Sequence, residues 1–114
     1  MSFKVTIRQS EQVSFIEVSG RLTSFESAAF RDAILGLLAK GHKDLILNLT
    51  GLEYLDSSGV GELVRNYMSV IKKGGSMKVV GLAPRVEEIL KVTKLYQVFP
   101  EFPDEASALR SFPK

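Results

Sequence analysis

Polar and apolar residues alternate at the start of the chain. Phe3, Val5 and Ile7 are interleaved with Lys4, Thr6 and Arg8, a period of two that predicts a half-buried strand. Ser10-Glu11-Gln12 reads as a turn. Val13, Phe15, Ile16 and Val18 then make a second strand that stops at Ser19-Gly20. So short a connection predicts an antiparallel hairpin. Beyond it the period lengthens. Thr23-Ser24-Phe25-Glu26 fits a capping box, in which a Thr hydroxyl and a Glu three residues on each satisfy the other's free N–H. A helix is expected from about Ser24 to Lys40, with Phe30, Ala33, Ile34, Leu37 and Leu38 as its buried stripe and Gly41 as its C-cap.

The second half repeats the theme. Lys43 to Leu49 reads as a strand with both faces partly covered, followed by a break at Thr50-Gly51 and a short apolar piece, Leu52 to Leu55. A second helix is expected from about Ser57 to Lys73. Val60, Leu63, Val64, Tyr67, Met68 and Ile71 recur on it at helical spacing. Lys72 and Lys73 suit its C-terminal dipole, and Gly74-Gly75 ends it. Met77, Val79 and Val80 give a further strand. Ala83-Pro84 opens a third helix with Val86, Ile89, Leu90 and Thr93 inward, and Leu95, Val98 and Phe99 suggest a short strand or turn. Asp104 caps a last helix, Glu105 to Arg110, with Ala106 and Leu109 expected to pack inward. The order β-β-α-β-α-β-α-α predicts an α/β fold: a mixed four- to five-stranded sheet with helices packed on it.

Composition narrows the function classes. At 114 residues the chain is read as one domain, 1–114, large enough to bury roughly two-thirds of its unfolded surface. The net charge of +2 and the dispersed Lys and Arg residues argue against nucleic acid as a direct partner. There is no cysteine, hence no disulfide, thiol nucleophile or zinc–thiolate site. The charged, alternating N-terminus lacks a signal peptide's apolar core, and no apolar run approaches the roughly 20 residues of a membrane span. A cytoplasmic location is the expectation.

The stretch with the most distinctive chemistry is Leu52-Glu53-Tyr54-Leu55-Asp56-Ser57-Ser58-Gly59-Val60-Gly61. Asp56 is placed as a helix N-cap, which sets the Ser57 and Ser58 hydroxyls where free N–H groups and the helix dipole favour negative charge. A simple cap explains Asp and Ser there. It does not explain Gly59 and Gly61, each of which costs about 1 kcal/mol against Ala inside a helix. Small residues let a partner's backbone come close, and Glu62, Arg65, Asn66 and Ser69 are expected on the exposed face beside them. A serine hydrolase is the enzymatic alternative, but G-x-S-x-G is absent. The single histidine, His42, is expected in an exposed loop at the far end of the preceding strand. Nucleotide-binding glycine motifs are missing because Val64 stands where a third glycine is needed. Asp56, Glu53 and Glu62 have no histidine beside them, so neither a metal nor a cofactor is expected.

The Leu52–Gly61 stretch resembles the signature of STAS domains, and of bacterial anti-sigma factor antagonists in particular. The similarity takes in Gly20-Arg21-Leu22, Leu45-Ile46-Leu47-Asn48-Leu49, Gly74-Gly75-Ser76-Met77-Lys78-Val79, Leu82-Ala83-Pro84 and Leu90-Lys91-Val92-Thr93-Lys94-Leu95. The resemblance implies a non-enzymatic partner switch. The unphosphorylated antagonist binds an anti-sigma factor with a histidine-kinase-like ATPase fold, and the sigma factor is released. That anti-sigma factor phosphorylates the serine after the aspartate, here Ser57 with Ser58 as the lesser candidate, and a serine phosphatase resets the system. ATP and Mg2+ belong to the partner. The implied contact surface comprises Arg21, Asp56, Ser57, Ser58, Gly59, Gly61, Glu62 and Arg65. One departure stands out. Where many antagonists have G-E-L-D, this chain has Gly20-Arg21-Leu22-Thr23, which puts Arg21 near the phosphate or in solvent. The rival implied by the resemblance is a STAS scaffold or transporter-associated subunit that binds partners without a phosphoswitch.

Overall fold

The computed structural model describes residues 3–10, 12–92 and 100–112. Strands β1 (Lys4–Ser10) and β2 (Val13–Leu22) form the expected antiparallel hairpin. Helix α1 (Ser27–Ala39) then crosses to β3 (Asp44–Leu55), and α2 (Ser57–Lys72) crosses to β4 (Ser76–Val80). Helix α3 (Pro84–Val92), the two-residue strand β5 (Glu101–Phe102) and helix α4 (Glu105–Arg110) complete the order. The sheet runs β1-β2-β3-β4-β5, with every pair after the hairpin parallel. This is the mixed α/β sheet expected from the pattern. The expectations for Thr93, Leu95, Val98 and Phe99 fall outside the described residues.

Alternation along the strands sends side chains to two cores. Ile16, Leu45, Leu47, Met77 and Val79 face one side, where α1, α2 and α3 bury Phe30, Ile34, Val60, Leu63, Val86 and Leu90 against them. Val13, Phe15, Ile46 and Val80 face the other side, beneath Ala108 of α4. That second face is only partly covered. On its open part Arg8 donates to both oxygens of Glu105, at 3.0 and 2.8 Å, and Asn48 Nδ2 donates to Glu105 Oε2 at 2.8 Å. Burial alone would raise the Glu105 pKa, but the Asn48 hydrogen bond and the Arg8 guanidinium hold the carboxyl below its ordinary value. These bonds, together with the Asp104 cap on Ser107 N, seat a helix too short to stand alone.

Several elements depart from the pattern. Strand β2 continues through Ser19-Gly20 to Leu22, and β3 runs unbroken through Thr50-Gly51. The β2–β3 register slips between Glu17 and Ser19 and again between Gly20 and Arg21, each time with one extra residue on β3. The first bulge absorbs the polar step at Thr50 that looks like a break, and the second leaves Glu53 as the extra residue. Helix α1 begins at Ser27 rather than Ser24. Glu26 Oε1 does accept from Thr23 N and Thr23 Oγ1, at 2.9 and 2.5 Å, but the box closes a turn that precedes the helix. Helices α1 and α2 end as predicted: Gly41 and Gly74 both take positive φ. In each, the glycine N–H and the N–H of the residue after it donate back to carbonyls of the last turn, the pattern of a Schellman cap. Ile7 is exposed rather than half-buried, Ala106 and Leu109 face solvent, and Ala108 takes the inward position.

Helix α2 is rotated from its expected setting. Met68 is 53% exposed and Ile71 is also outside, whereas Val70, Glu62 and Asn66 are buried. Glu62, only 1% exposed, is admitted because all its oxygens are served. Oε1 pairs with Arg65 Nη2 at 3.1 Å and Arg31 Nη1 of α1 at 3.5 Å, while Oε2 accepts from Asn66 Nδ2 at 3.3 Å. The carboxylate therefore clasps α1 to α2. The start of α2 is set by a different contact. Gly59 is buried, and a Cβ there would strike the Leu22 carbonyl oxygen at the end of β2.

Each of the following outcomes is read by urea denaturation. Gly59→Ala forces the helix off β2 and is expected to cost about 3 kcal/mol. Gly61→Ala gains about 1 kcal/mol of helix propensity but presses at 3.1 Å on the Arg65 guanidinium that serves Glu62, and is expected to be near neutral. Arg31→Ala combined with Arg65→Ala strands a buried carboxylate and is expected to cost about 3 kcal/mol, while Glu62→Met removes charge and cavity together and stays near neutral. Finally, a carboxyl whose folded pKa lies below its unfolded value of about 4.3 stabilises the fold above that value. It loses the contribution as pH falls through the folded value. Glu105→Gln is thus expected to lower stability at neutral pH and to flatten the decline as pH falls below about 4.3.

Candidate functional site

At the C-terminal end of β3 the chain turns directly into α2. Asp56 has extended backbone, and its Oδ1 accepts from Gly59 N at 2.8 Å. Its carbonyl accepts from Val60 N at 2.9 Å, so the cap is complete on both counts. Ser57 is the first residue of α2 and is exposed; Ser58 is half-buried. Backbone N–H groups of a first helical turn point outward there, and the dipole adds partial positive charge. The site is therefore a rigid, locally anion-favouring hydroxyl flanked by one carboxylate.

Sequence reasoning named eight residues for this surface, and the structure divides them. Asp56, Ser57 and Ser58 form the turn itself. Gly61 and Arg65 lie on the accessible side of α2, one and two turns on, with the Arg65 guanidinium folded back over Gly61. Gly59 does not leave room for a partner, because its missing side chain makes space for the Leu22 carbonyl. Glu62 faces inward to Arg31, Arg65 and Asn66, so it is not a surface contact; Asn66 is buried with it. Arg21 is exposed and stacks over the Tyr54 ring at 4.4 Å from its centroid. His42 is half-buried, at the opposite end of β3 from Ser57.

Two features were not assigned from sequence. A shallow cavity of about 610 Å³ opens beside the turn, between the β2–α1 connection and the end of β3. Arg21, Thr23, Phe25, Glu26, Tyr54 and Asp56 line it. On its wall Phe25 is 92% exposed. The available signal was a large aromatic inside a four-residue turn, where small and polar residues are usual. Glu26 is held below the ordinary carboxylate range, chiefly by the hydrogen bonds from the Thr23 hydroxyl and N–H. Among the described residues no group of three or more acids and histidines is placed to hold a metal ion, and no helix is long and apolar enough to cross a membrane.

Comparison with known proteins gives a consistent answer. The STAS domain family model matches residues 4–108. The anti-sigma-B factor antagonist of Bacillus subtilis is 28% identical over 98 residues, spanning 86% of this chain and 89% of that protein. The crystal structure of an anti-sigma factor antagonist from Mycobacterium paratuberculosis superposes with a TM-score of 0.85. It is 26% identical and covers 96% of this chain and 93% of its own. The fold also matches the Bacillus cell fate determinant SpoIIAA in its phosphorylated form, with a TM-score of 0.72 and 19% identity over 97% of this chain and all of that one. With one family model running from the first strand into the last helix, this chain belongs to the STAS domain family.

Proposed function

We propose that the chain is an anti-sigma factor antagonist that works by partner exchange and performs no chemistry of its own. In its unphosphorylated form it binds a kinase-type anti-sigma factor through the Ser57 turn and the accessible side of α2. That binding frees the sigma factor. The anti-sigma factor, which has a histidine-kinase-like ATPase fold and carries ATP and Mg2+, phosphorylates Ser57, and the complex then separates. A serine phosphatase restores the binding form. The observation that carries this reading is an exposed serine at the first position of a fully capped helix, in a chain of the STAS family. The names of the similar antagonists and the phosphorylated state of one fold neighbour support it.

The physics of the turn suits a switch. A phosphoryl group adds about −1.5 to −2 charges at pH 7, next to Asp56 and on a chain whose net charge is +2. Like-charge repulsion and bulk in a close contact cost several kcal/mol. Moving a population from 1:99 to 99:1 takes about 5.5 kcal/mol of differential affinity. One phosphate therefore supplies a large part of the change, with no need to refold the domain. The capped backbone of Asp56 to Val60 favours local blocking of a preformed surface.

Two measurements test the switch. After incubation with the cognate anti-sigma factor and ATP·Mg2+, peptide mass spectrometry is expected to find one phosphoryl group on Ser57 and none on Ser57→Ala. Modification of Ser57→Ala to the same extent overturns the assignment. In calorimetry, Ser57→Asp is expected to bind that anti-sigma factor at least about 10-fold more weakly than wild type. Equal binding removes phosphorylation as the control.

A further inference from the structure

The largest exposed apolar side chain near the Ser57 turn belongs to Phe25, and its setting is unusual. Solitary exposed apolar residues are common on protein surfaces and by themselves need no explanation. What sets Phe25 apart is the turn that carries it. Its turn is stitched by Glu26 Oε1 accepting from Thr23 N and Oγ1, by the Ser27 hydroxyl on the Thr23 carbonyl, and by Glu26 N and Ser27 N on that same carbonyl. A rigid turn thus holds an aromatic ring 92% in solvent, although a cavity lined by Tyr54 lies beside it. Arg21, Glu26 and Asp56 line that same cavity, with Arg21 already stacked on Tyr54. An exposed aromatic side chain at the edge of a cavity lined by charged groups suits an interface anchor with a polar rim. The Phe25 turn and the Ser57 turn are also mechanically one unit, since β2 enters the first and its last residue, Leu22, carries the carbonyl against which Gly59 packs.

From this setting we propose that Phe25 is the hydrophobic anchor of the contact with the anti-sigma factor, inserting into an apolar pocket on that partner beside the bound Ser57 turn. The inference rests on the function proposed above and adds a second limb to the same surface. The phosphate gates one limb by charge, while Phe25 supplies burial that phosphorylation does not touch. The occupant is the anti-sigma factor because the ring borders the same cavity as Asp56, the residue before Ser57.

Calorimetry of the full chain against the purified cognate anti-sigma factor, loaded with ADP·Mg2+ so that no phosphoryl group is transferred, tests this. Phe25→Ala is expected to weaken binding at least about 20-fold, and Phe25→Leu to recover most of it. The melting temperature is expected to stay unchanged in both, since the ring touches solvent. Binding by Phe25→Ala within twofold of wild type, while Ser57→Asp fails, overturns the anchor and leaves the proposed function standing. A drop in melting temperature that accompanies the loss assigns Phe25 to the fold and also overturns the anchor. If neither Phe25→Ala nor Ser57→Asp weakens binding, or wild type does not bind at all, the proposed function falls and the anchor with it.

Discussion

Everything about the site depends on how closely the start of α2 is allowed to approach the end of β2. The Gly59 backbone lies against the Leu22 carbonyl with no side chain between them. That contact fixes the depth of the helix, and so the height of Asp56 and Ser57 above the sheet. It also ties the β3–α2 turn to the neighbouring β2–α1 turn. Two loops that are thirty residues apart in the chain are held as one rigid surface. The Asp56 cap then removes the last freedom by holding the first turn at Gly59 N. A hydroxyl on such a support has little entropy to lose when a partner meets it.

The same glycine shows how a correct expectation can rest on the wrong cause. Two glycines in the first turns of α2 do signal something other than helix stability. Gly61 lies on the accessible side of α2, where only the Arg65 guanidinium comes near, so nothing in the fold itself calls for a glycine there. For Gly59 the reason is internal, and only the position of a carbonyl distant in sequence reveals it. Spacing along one helix carries no information about what arrives from another strand.

The pattern of apolar residues was a good guide where local chemistry decides. The Asp56 and Asp104 caps, the Gly41 and Gly74 terminators, the hairpin and the alternation of β4 all follow from residues near each other in sequence. It failed where tertiary partners overrule polarity. Glu62 and Asn66 look like surface residues, yet they are buried because Arg31 arrives from α1 and Arg65 folds back from the next turn. Met68 and Ile71 are turned outward by the same rotation. Thr50-Gly51 looks like a loop, yet a bulge opposite Val18 carries it through as strand. Phe25 was visible only as the interior of a capping box, since nothing local says that an aromatic ring will be left in water.

The parallel crossovers have an electrical consequence that the residue charges hide. Strands β2, β3 and β4 run the same way, and α1, α2 and α3 each follow the C-terminal end of one of them. All three helices therefore begin along one rim of the sheet and, in a parallel crossover, run back toward the other. Their peptide dipoles add rather than cancel, so a nearly neutral molecule acquires a positive rim and a negative rim. Ser57 sits on the positive one.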